Sequence, residues 1–305
     1  MKTIAILHSL GEGKRRPFSE GKMNKAYADF LERGRVCDVK FVLSDYRWYS
    51  KGFVSKCWVF ESGWKLNGKT GVDLIYDKFH TDSKTIRLKK SMEKKPGLVN
   101  RVGLEILAKD KLKTYRTFPD IVPRCFLVNN QKEYKKALSK IKADKVVIKP
   151  LMGEGGEGIC IVNKNKNIRI PKNTLVQEFI DSSNGIKGLV KGVHDIRVIV
   201  INGRIVQCYI RKPRKGLISN IALGGRMIFV PNSRIPRKVL GMKRVIERKL
   251  SIFHPRIYTA DFLFDGNQRP WLIELNTKPG IYPYGGHPKY EHILFDHIIK
   301  ALRKT

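Results

Sequence analysis

The chain has 305 residues, enough for more than one lobe, and its hydrophobic content of 42% is ordinary for a globular protein. The 61 Lys and Arg against 27 Asp and Glu give a net charge of +34, which attracts polyanions such as nucleic acid, nucleotides or acidic peptides. A solvated lysine-rich surface without a binding role is the alternative. No stretch approaches the roughly 18 apolar residues of a membrane helix, and the first residues, MKTIAILHSLGEG, are short for a signal peptide. Five widely spaced cysteines argue against a disulfide framework or a zinc site and indicate a cytoplasmic protein.

The N-terminal third has the pattern of alternating strands and helices. Residues 2–8 and 39–43 are predicted strands, and residues 23–33 are a predicted amphipathic helix that Gly34 would end as a C-cap. Residues 48–76 contain short alternating runs separated by glycines, which predicts hairpins. This β-α-β order predicts an open α/β domain.

The pattern changes after residue 102. A single helix is predicted over residues 103–118, where Pro119 ends it. The other elements predicted are strands over residues 124–128, 175–180, 196–201, 204–210, 258–264 and 271–275, and helices over residues 131–141, 239–250 and 290–302.

A glycine-rich segment, VVIKPLMGEGGEGICIV, lies between two predicted strands. Strands disfavour glycine, so Gly153, Gly155, Gly156 and Gly158 suggest a loop whose backbone lies close against a ligand. Successive backbone N–H groups free of side chains can wrap phosphate oxygens, and Lys149 would add an ammonium group beside them. The lysine precedes the glycines and no helix follows, so this is not a P-loop. A purely structural hairpin is the alternative.

Oxygen donors follow in the segment ADFLFDGNQRPWLIELNTKPG. Glu274 and Asn276 are two residues apart and therefore point to the same face of a strand. The short hairpin before them would bring Asp261 alongside. Two carboxylates and an amide, with no His or Cys, suit Mg²⁺ that bridges to phosphates.

In this order the motifs strongly resemble those of the ATP-grasp superfamily, above all glutathione synthetase and the ligase that adds glutamates to a ribosomal protein. The resemblance extends over about residues 99–280. It implies an α/β (α+β) ATP-grasp fold, with an N-terminal open α/β domain at residues 1–100 and a two-lobed ATP-grasp domain at residues 101–305. The lid would comprise about residues 124–177 and the C-terminal subdomain about residues 178–305.

The resemblance also implies a nucleotide site. Lys111 of DKLKTY and Lys149 would contact phosphate, the backbone of the QEFI hinge would pair with adenine, and Asp195 of HDIRVIV would lie near the ribose. The complete set implied to bind the nucleotide is Lys111, Lys149, Gly153, Gly155, Gly156, Gln177, Glu178, Phe179, Ile180 and Asp195.

Three further residues are implied to take part in the reaction. Arg197 would lie near the reacting phosphate, and Arg211 and Asn220 belong to the segment IRKPRKGLISNIALGGR, which is similar to a glutathione-synthetase segment. The alternative is that Arg197 and Arg211 are surface residues on alternate strand faces. The implied metal ligands are Asp261, Glu274 and Asn276.

The activity implied is ATP-dependent carboxylate–amine ligation, which forms an amide or peptide bond through an acyl phosphate. The cofactors would be ATP and Mg²⁺, with Mn²⁺ as the alternative metal. The partners would be an anionic carboxylate substrate (an amino acid, a peptide or a protein tail) and an amine acceptor, and a homo-oligomer fits the resemblance. Residues 10–22 and 281–287 match no substrate-specific pattern, and residues 10–22 and 211–215 are cationic, which favours a substrate with more than one negative charge. The alternative, based on the net charge, is a nucleotide-gated protein that binds RNA or an acidic partner.

Overall fold

The computed structural model describes residues 1–11, 15–152, 158–166, 168–214, 216–217, 224–281 and 288–305. Within these ranges the strands are β1 (Lys2–His8), β2 (Val39–Asp45), β3 (Tyr49–Ser50), β4 (Phe53–Val54), β5 (Cys57–Phe60), β6 (Trp64–Asn67), β7 (Thr70–Gly71), β8 (Leu74–Asp77), β9 (Leu98–Val99), β10 (Cys125–Val128), β11 (Lys145–Pro150), β12 (Cys160–Asn163), β13 (Thr174–Glu178), β14 (Asp195–Ile201), β15 (Arg204–Lys212), β16 (Arg226–Phe229), β17 (Ile257–Phe264) and β18 (Pro270–Asn276). The helices are α1 (Gly21–Val36), α2 (Ser83–Lys94), α3 (Val102–Lys109), α4 (Lys111–Thr117), α5 (Gln131–Lys140), α6 (Arg237–Leu250) and α7 (Pro288–Arg303).

The first sheet has the order β6–β5–β2–β1–β8–β9. Strands β2, β1, β8 and β9 are parallel, and the β5–β6 hairpin adds to β2 in the antiparallel direction. This is the open α/β arrangement predicted from the sequence. The chain moves from β1 to β2 on one side and later returns to β8 on the other side. In open α/β sheets, ligands bind outside the carboxyl ends of the strands at such a switch point.

Two antiparallel sheets follow. The first has the order β10–β13–β11–β12 and the second has the order β16–β15–β14–β17–β18. Strands β11 and β12 pair in the register Val146↔Val162, so the two ends of the glycine-rich segment form the predicted hairpin. A small sheet, β3–β4–β7, lies beside the first one.

The five-stranded sheet is covered on both faces at β14, which explains why that strand is almost continuously apolar. Val198 and Val200 point to the face that packs against α3 and α6. Ile199 and Ile201 point to the opposite face and pack against α7 and the first sheet. Because side chains alternate along a strand, Asp195 lies on this second face, beyond its apolar part.

Helix α1 corrects one prediction. It continues to Val36, and Gly34 lies inside it instead of ending it. A Cβ atom at Gly34 would overlap the ring of Phe41 on β2. The glycine therefore allows the helix to approach the sheet closely, and the C-cap role predicted for it is wrong.

The predicted helix over residues 103–118 is two helices. The carboxylate of Asp110 accepts hydrogen bonds from the backbone N–H groups of Leu112 and Lys113, both at 3.0 Å, and so acts as the N-cap of α4. The break places Lys111 in the first turn of a new helix. A continuous helix was the wrong interpretation of this segment.

Helix α2 was not predicted. Its sequence, SKTIRLKKSMEK, is strongly polar, and its buried residues are Thr85, Lys89 and Met92. Asp82 caps it through the N–H groups of Lys84 and Thr85, at 2.9 and 2.8 Å. Lys89 lies on the buried face and interrupts the apolar stripe by which an amphipathic helix is recognised in a sequence. Its burial depends on partners elsewhere in the fold, which the helix sequence does not contain.

The last helix connects the sheets. Phe295 and Ile298 of α7 share one apolar cluster with Ile4 of β1, Phe30 of α1 and Tyr209 of β15. Helix α7 therefore packs across the predicted domain limit at residue 100, and the proposed limits stay predictions. All five cysteines are free thiols. Across the described ranges, every helix is too short or too polar to span a bilayer.

Candidate active site

Four neighbouring strands bring charged side chains to one face of the five-stranded sheet. Asp195 of β14 lies opposite Arg211 of β15. Arg197 lies opposite Asp261 of β17, which in turn lies opposite Glu274 of β18. Directly opposed residues of antiparallel strands share a face, so the register alone collects five of the residues that the sequence analysis singled out.

The arginines and aspartates of this face form one ion-pair network. Arg197 donates from Nε and Nη2 to the two carboxylate oxygens of Asp261, at 2.6 and 2.5 Å. Arg211 donates to the same Asp261 at 2.6 Å and to Asp195 at 2.7 Å. These side chains are only 4–16% exposed, so the alternative that the two arginines are surface residues is wrong.

The two aspartates differ in their electrostatics. Burial acts to raise the pKa of Asp261, but Arg197 and Arg211 outweigh it and hold that pKa below its ordinary value. Burial raises the pKa of Asp195 to about 7, against the opposing effect of Arg211. Asp261 is therefore ionised at neutral pH, whereas the pKa of Asp195 is close to neutral pH. The predicted role of Asp195 at a ribose stays a prediction.

Glu274 and Asn276 lie at the edge of this network. Burial and the facing Asp261 raise the pKa of Glu274, because two carboxylates that share a site repel each other. The side-chain oxygen of Asn276 accepts a hydrogen bond from the backbone N–H of Lys278 at 2.9 Å.

This donor set fits Mg²⁺. The cation binds carboxylate and amide oxygens and keeps several waters, and it would relieve the repulsion between Asp261 and Glu274, which lie opposite each other. Asp261, Glu274 and Asn276 would hold it. Their assignment as ligands remains a prediction.

Strand β11 contributes a buried lysine. Lys149 is 4% exposed and donates to the side-chain oxygen of Gln177 at 2.8 Å. Burial, followed by repulsion from Lys111, lowers the pKa of Lys149 to about 8, whereas Glu274 raises it. Residues from β11, from α4 and from the five-stranded sheet are thus close enough to influence one another electrostatically.

The predicted hinge lies where β13 ends. The side chain of Gln177 donates to the carbonyl of Pro123 at 3.3 Å, and the backbone N–H of Glu178 donates to the carbonyl of Arg124 at 2.8 Å. The ring of Phe179 lies 5.7 Å from the ammonium of Lys145. Phe179 and Ile180 follow the last residue of the strand, and the adenine-pairing role of this segment stays a prediction.

Some predicted site residues cannot be placed. Gly153, Gly155, Gly156 and Asn220 lie outside the described residues.

A small pocket opens beside the candidate metal ligands. Its lining residues are Ala108, Lys109, Lys111, Glu274, Leu275, Asn276 and Thr277. Lys109 and Thr277 were not predicted. The sequence positions could have indicated both residues. Lys109 lies two residues before Lys111, and Thr277 directly follows the E-x-N motif.

Comparison with known proteins identifies this arrangement. A model of the family described as prokaryotic glutathione synthetase, ATP-grasp domain, matches residues 110–246. The whole fold is similar to a RimK domain protein ATP-grasp from Sphaerobacter thermophilus, with a TM-score of 0.63 and 13% identity over 99% of both chains. The chain therefore has the ATP-grasp fold, and its residues 110–246 match the ATP-grasp domain of that family. This confirms the predicted fold class.

Other ATP-grasp proteins are also similar. A RiPP-associated ATP-grasp ligase from Chryseobacterium gregarium, in complex with ADP and a leader and core peptide, has a TM-score of 0.64 and 13% identity over 100% of this chain and 97% of that one. At such identity the likeness shows the ATP-grasp fold. A probable alpha-L-glutamate ligase from Saccharophagus degradans is 26% identical over 176 residues, which are 52% of this chain and 51% of the relative. The chain thus spans about half the length of that relative.

Proposed function

We propose that this protein is an ATP-dependent carboxylate–amine ligase that produces ADP. The observation that carries the proposal is the pocket that Lys111 of α4 lines together with Glu274 and Asn276 of β18. The ammonium group there favours an anion, and the carboxylate and amide oxygens favour a cation. A nucleotide phosphate chain with its metal satisfies both requirements.

The reaction must activate a carboxylate, because a carboxylate is a poor electrophile. A carboxylate oxygen attacks the γ-phosphorus of ATP and ADP leaves. The amine then attacks the carbonyl carbon of the acyl phosphate, phosphate leaves, and the nitrogen loses its proton, which yields the amide. When bound, Mg²⁺ neutralises β- and γ-phosphate charge. This chemistry requires positioning and charge stabilisation, with no side-chain nucleophile.

The arginines supply positive charge where the reaction needs it. Arg197 and Arg211 are held by Asp261 and Asp195 in fixed orientations, with little exposure to water. Preorganised donors in a dry site stabilise developing negative charge far better than flexible ones do. We assign them to the transferring phosphoryl group and to the oxyanion of the tetrahedral intermediate.

The acceptor region has a candidate pocket at the switch point of the first sheet. An open cavity of about 550 Å³ is lined by Ser9, Leu10, Gly11, Tyr46, Arg47 and His80. The exposed Arg15 and Arg16 follow this segment. The location and the cationic surroundings support an anionic carboxylate substrate, such as an acidic peptide.

The decisive experiment is a screen of amino acids and acidic peptides for Mg²⁺-dependent ADP release. Glu274→Ala and Lys149→Ala should abolish the release. The matched controls Glu61→Ala and Lys172→Ala alter exposed residues and should keep it. A protein that binds no nucleotide at millimolar ATP with Mg²⁺ would refute the proposal.

A second candidate is a nucleotide-gated protein that binds RNA. The outward face of α6 favours it, because Arg237, Arg244 and Arg248 are exposed and the one acid of the helix, Glu247, is bonded to Arg256. Salt-sensitive RNA binding that persists in Glu274→Ala and falls on replacing these three arginines by Gln would support it. RNA binding that the replacements leave unchanged would end it.

A further inference from the structure

A buried charge cluster lies next to the loop that follows β18. Lys89 of α2 is completely buried. Its ammonium lies 2.5 Å from the carboxylate of Asp77 and 2.9 Å from that of Glu105, and it donates to the hydroxyl of Thr81 at 2.8 Å. Two carboxylates against one ammonium leave a negative charge inside the protein, which is costly without a further counter-ion.

Lys278 provides that counter-ion from another part of the chain. Its ammonium lies 3.5 Å from Glu105 and 3.7 Å from Asp77. It also donates to the Thr81 hydroxyl at 3.0 Å and to the carbonyl of Phe79. Burial and Glu105 raise the pKa of Asp77, whereas Lys278 and Lys89 both lower it and so favour the ionised carboxylate. The cluster therefore anchors the side chain of Lys278.

The residues on either side of Lys278 are fixed as well. Asn100 donates from its side chain to the carbonyl of Thr277 at 2.8 Å. Lys78 donates to the carbonyl of Pro279 at 2.5 Å. Three consecutive loop residues are thus each held by a different polar group from outside the five-stranded sheet.

The anchored loop orients one proposed metal ligand. The backbone N–H of Lys278 donates to the side-chain oxygen of Asn276 at 2.9 Å. A displacement of the Lys278 backbone would therefore move or rotate the amide. Mg²⁺ demands near-ideal octahedral geometry at about 2.0–2.1 Å, so a small displacement of one ligand weakens binding.

We propose that Lys278 is a positioning residue that transmits the geometry of the Asp77–Lys89–Glu105 cluster to Asn276, a role that rests on the proposed nucleotide–metal function. The cluster reaches both sides of the small pocket, because Lys109 also donates to the carbonyl of Thr81. The end of β8 and the helices α2 and α3 therefore set the shape of the phosphate end of the site through Asp77, Lys89 and Glu105.

Calorimetric titration of the 305-residue chain with Mg²⁺ and ADP tests this role without depending on catalysis. Lys278→Met should weaken Mg·ADP binding by about 10–100-fold, the usual effect of losing a group that orients a metal ligand. Lys278→Arg keeps the charge and should restore most of the affinity. The control Lys300→Met alters an exposed lysine of α7 and should bind as the wild type does. Thermal unfolding of each variant shows whether it folds. If Lys278→Met does not fold, Lys278→Gln is measured in its place.

A double-mutant cycle separates positioning from a general structural role. In an Asn276→Ala background, Lys278→Met should weaken Mg·ADP binding by less than about threefold, because the ligand that Lys278 positions is gone. Equal losses in both backgrounds would overturn the proposal, as would unchanged binding by Lys278→Met while Asn276→Ala is impaired. A wild-type protein that binds no Mg·ADP would instead overturn the proposed function, and this role with it.

Discussion

Replacement of Arg211 by methionine would remove the guanidinium that connects Asp195 to Asp261. Two charge-assisted hydrogen bonds, of 2.7 and 2.6 Å, would be lost at groups that are about nine-tenths buried. Asp261 keeps both bonds from Arg197, so most of the cost falls on Asp195. Removing one partner of a buried pair costs about 3–5 kcal/mol, and we expect the free energy of unfolding to fall by about that amount at pH 8.

The penalty should depend on pH. The pKa of Asp195 in the folded protein is raised to about 7, above its value of about 3.9 in an unfolded chain. The folded state therefore binds more protons, and this group lowers the free energy of unfolding as pH rises from about 4 to about 7. Without Arg211 the pKa of Asp195 rises further, so the loss continues to higher pH. Arg211→Met should accordingly be less damaging at pH 5 than at pH 8.

Urea unfolding at pH 5 and pH 8, followed by circular dichroism, measures both effects. The double variant Asp195→Asn/Arg211→Met should be more stable at pH 8 than Arg211→Met alone, because a buried neutral amide costs less than an unpaired carboxylate. A loss below about 1 kcal/mol, typical of an exposed ion pair, would refute the argument. So would a double variant no more stable than the single one.

Three further predictions concern Lys149, Gly34 and the proposed metal ligand Asn276. The pKa of Lys149 is lowered to about 8, so the affinity for ADP, measured by calorimetry, should fall by about tenfold per pH unit above that pH. Lys149→Arg should abolish this pH dependence. An unchanged wild-type affinity at pH 9 would contradict the prediction. Gly34→Ala should lower the free energy of unfolding by about 1–3 kcal/mol, because the added methyl group overlaps Phe41. The control Gly241→Ala, whose added methyl group would have nothing within 4 Å, should raise the free energy of unfolding by up to about 1 kcal/mol. Equal effects of the two variants in urea unfolding would refute the packing argument. Asn276→Asp should retain Mg²⁺ binding better than Asn276→Ala, measured as the Mg²⁺ dependence of ADP binding, because the site needs an oxygen there; full binding by the alanine variant at limiting Mg²⁺ would show that this residue is not a ligand.

Much of the site was readable from the sequence because its signals are local. The two-residue spacing of Glu274 and Asn276 assigns them to one strand face wherever that strand lies. The hairpin between β14 and β15 was predicted within about two residues, because Asn202 and Gly203 suit a tight turn between two β-branched runs. The order of the motifs along the chain then sufficed to predict the ATP-grasp fold.

Tertiary structure decided the pairings that no local pattern contains. Asp195 and Arg211 meet because β14 and β15 pair in one register, and a shift by one residue would turn them to opposite faces. Lys89 is buried only because Asp77 and Glu105, from a strand and another helix, surround its ammonium, which is why the polar helix α2 escaped prediction. The sequence by itself determined which residues could serve a phosphate and a metal. Only the packing of distant segments determined which charges neutralise one another, because a buried charge is stable only where the fold supplies its partner.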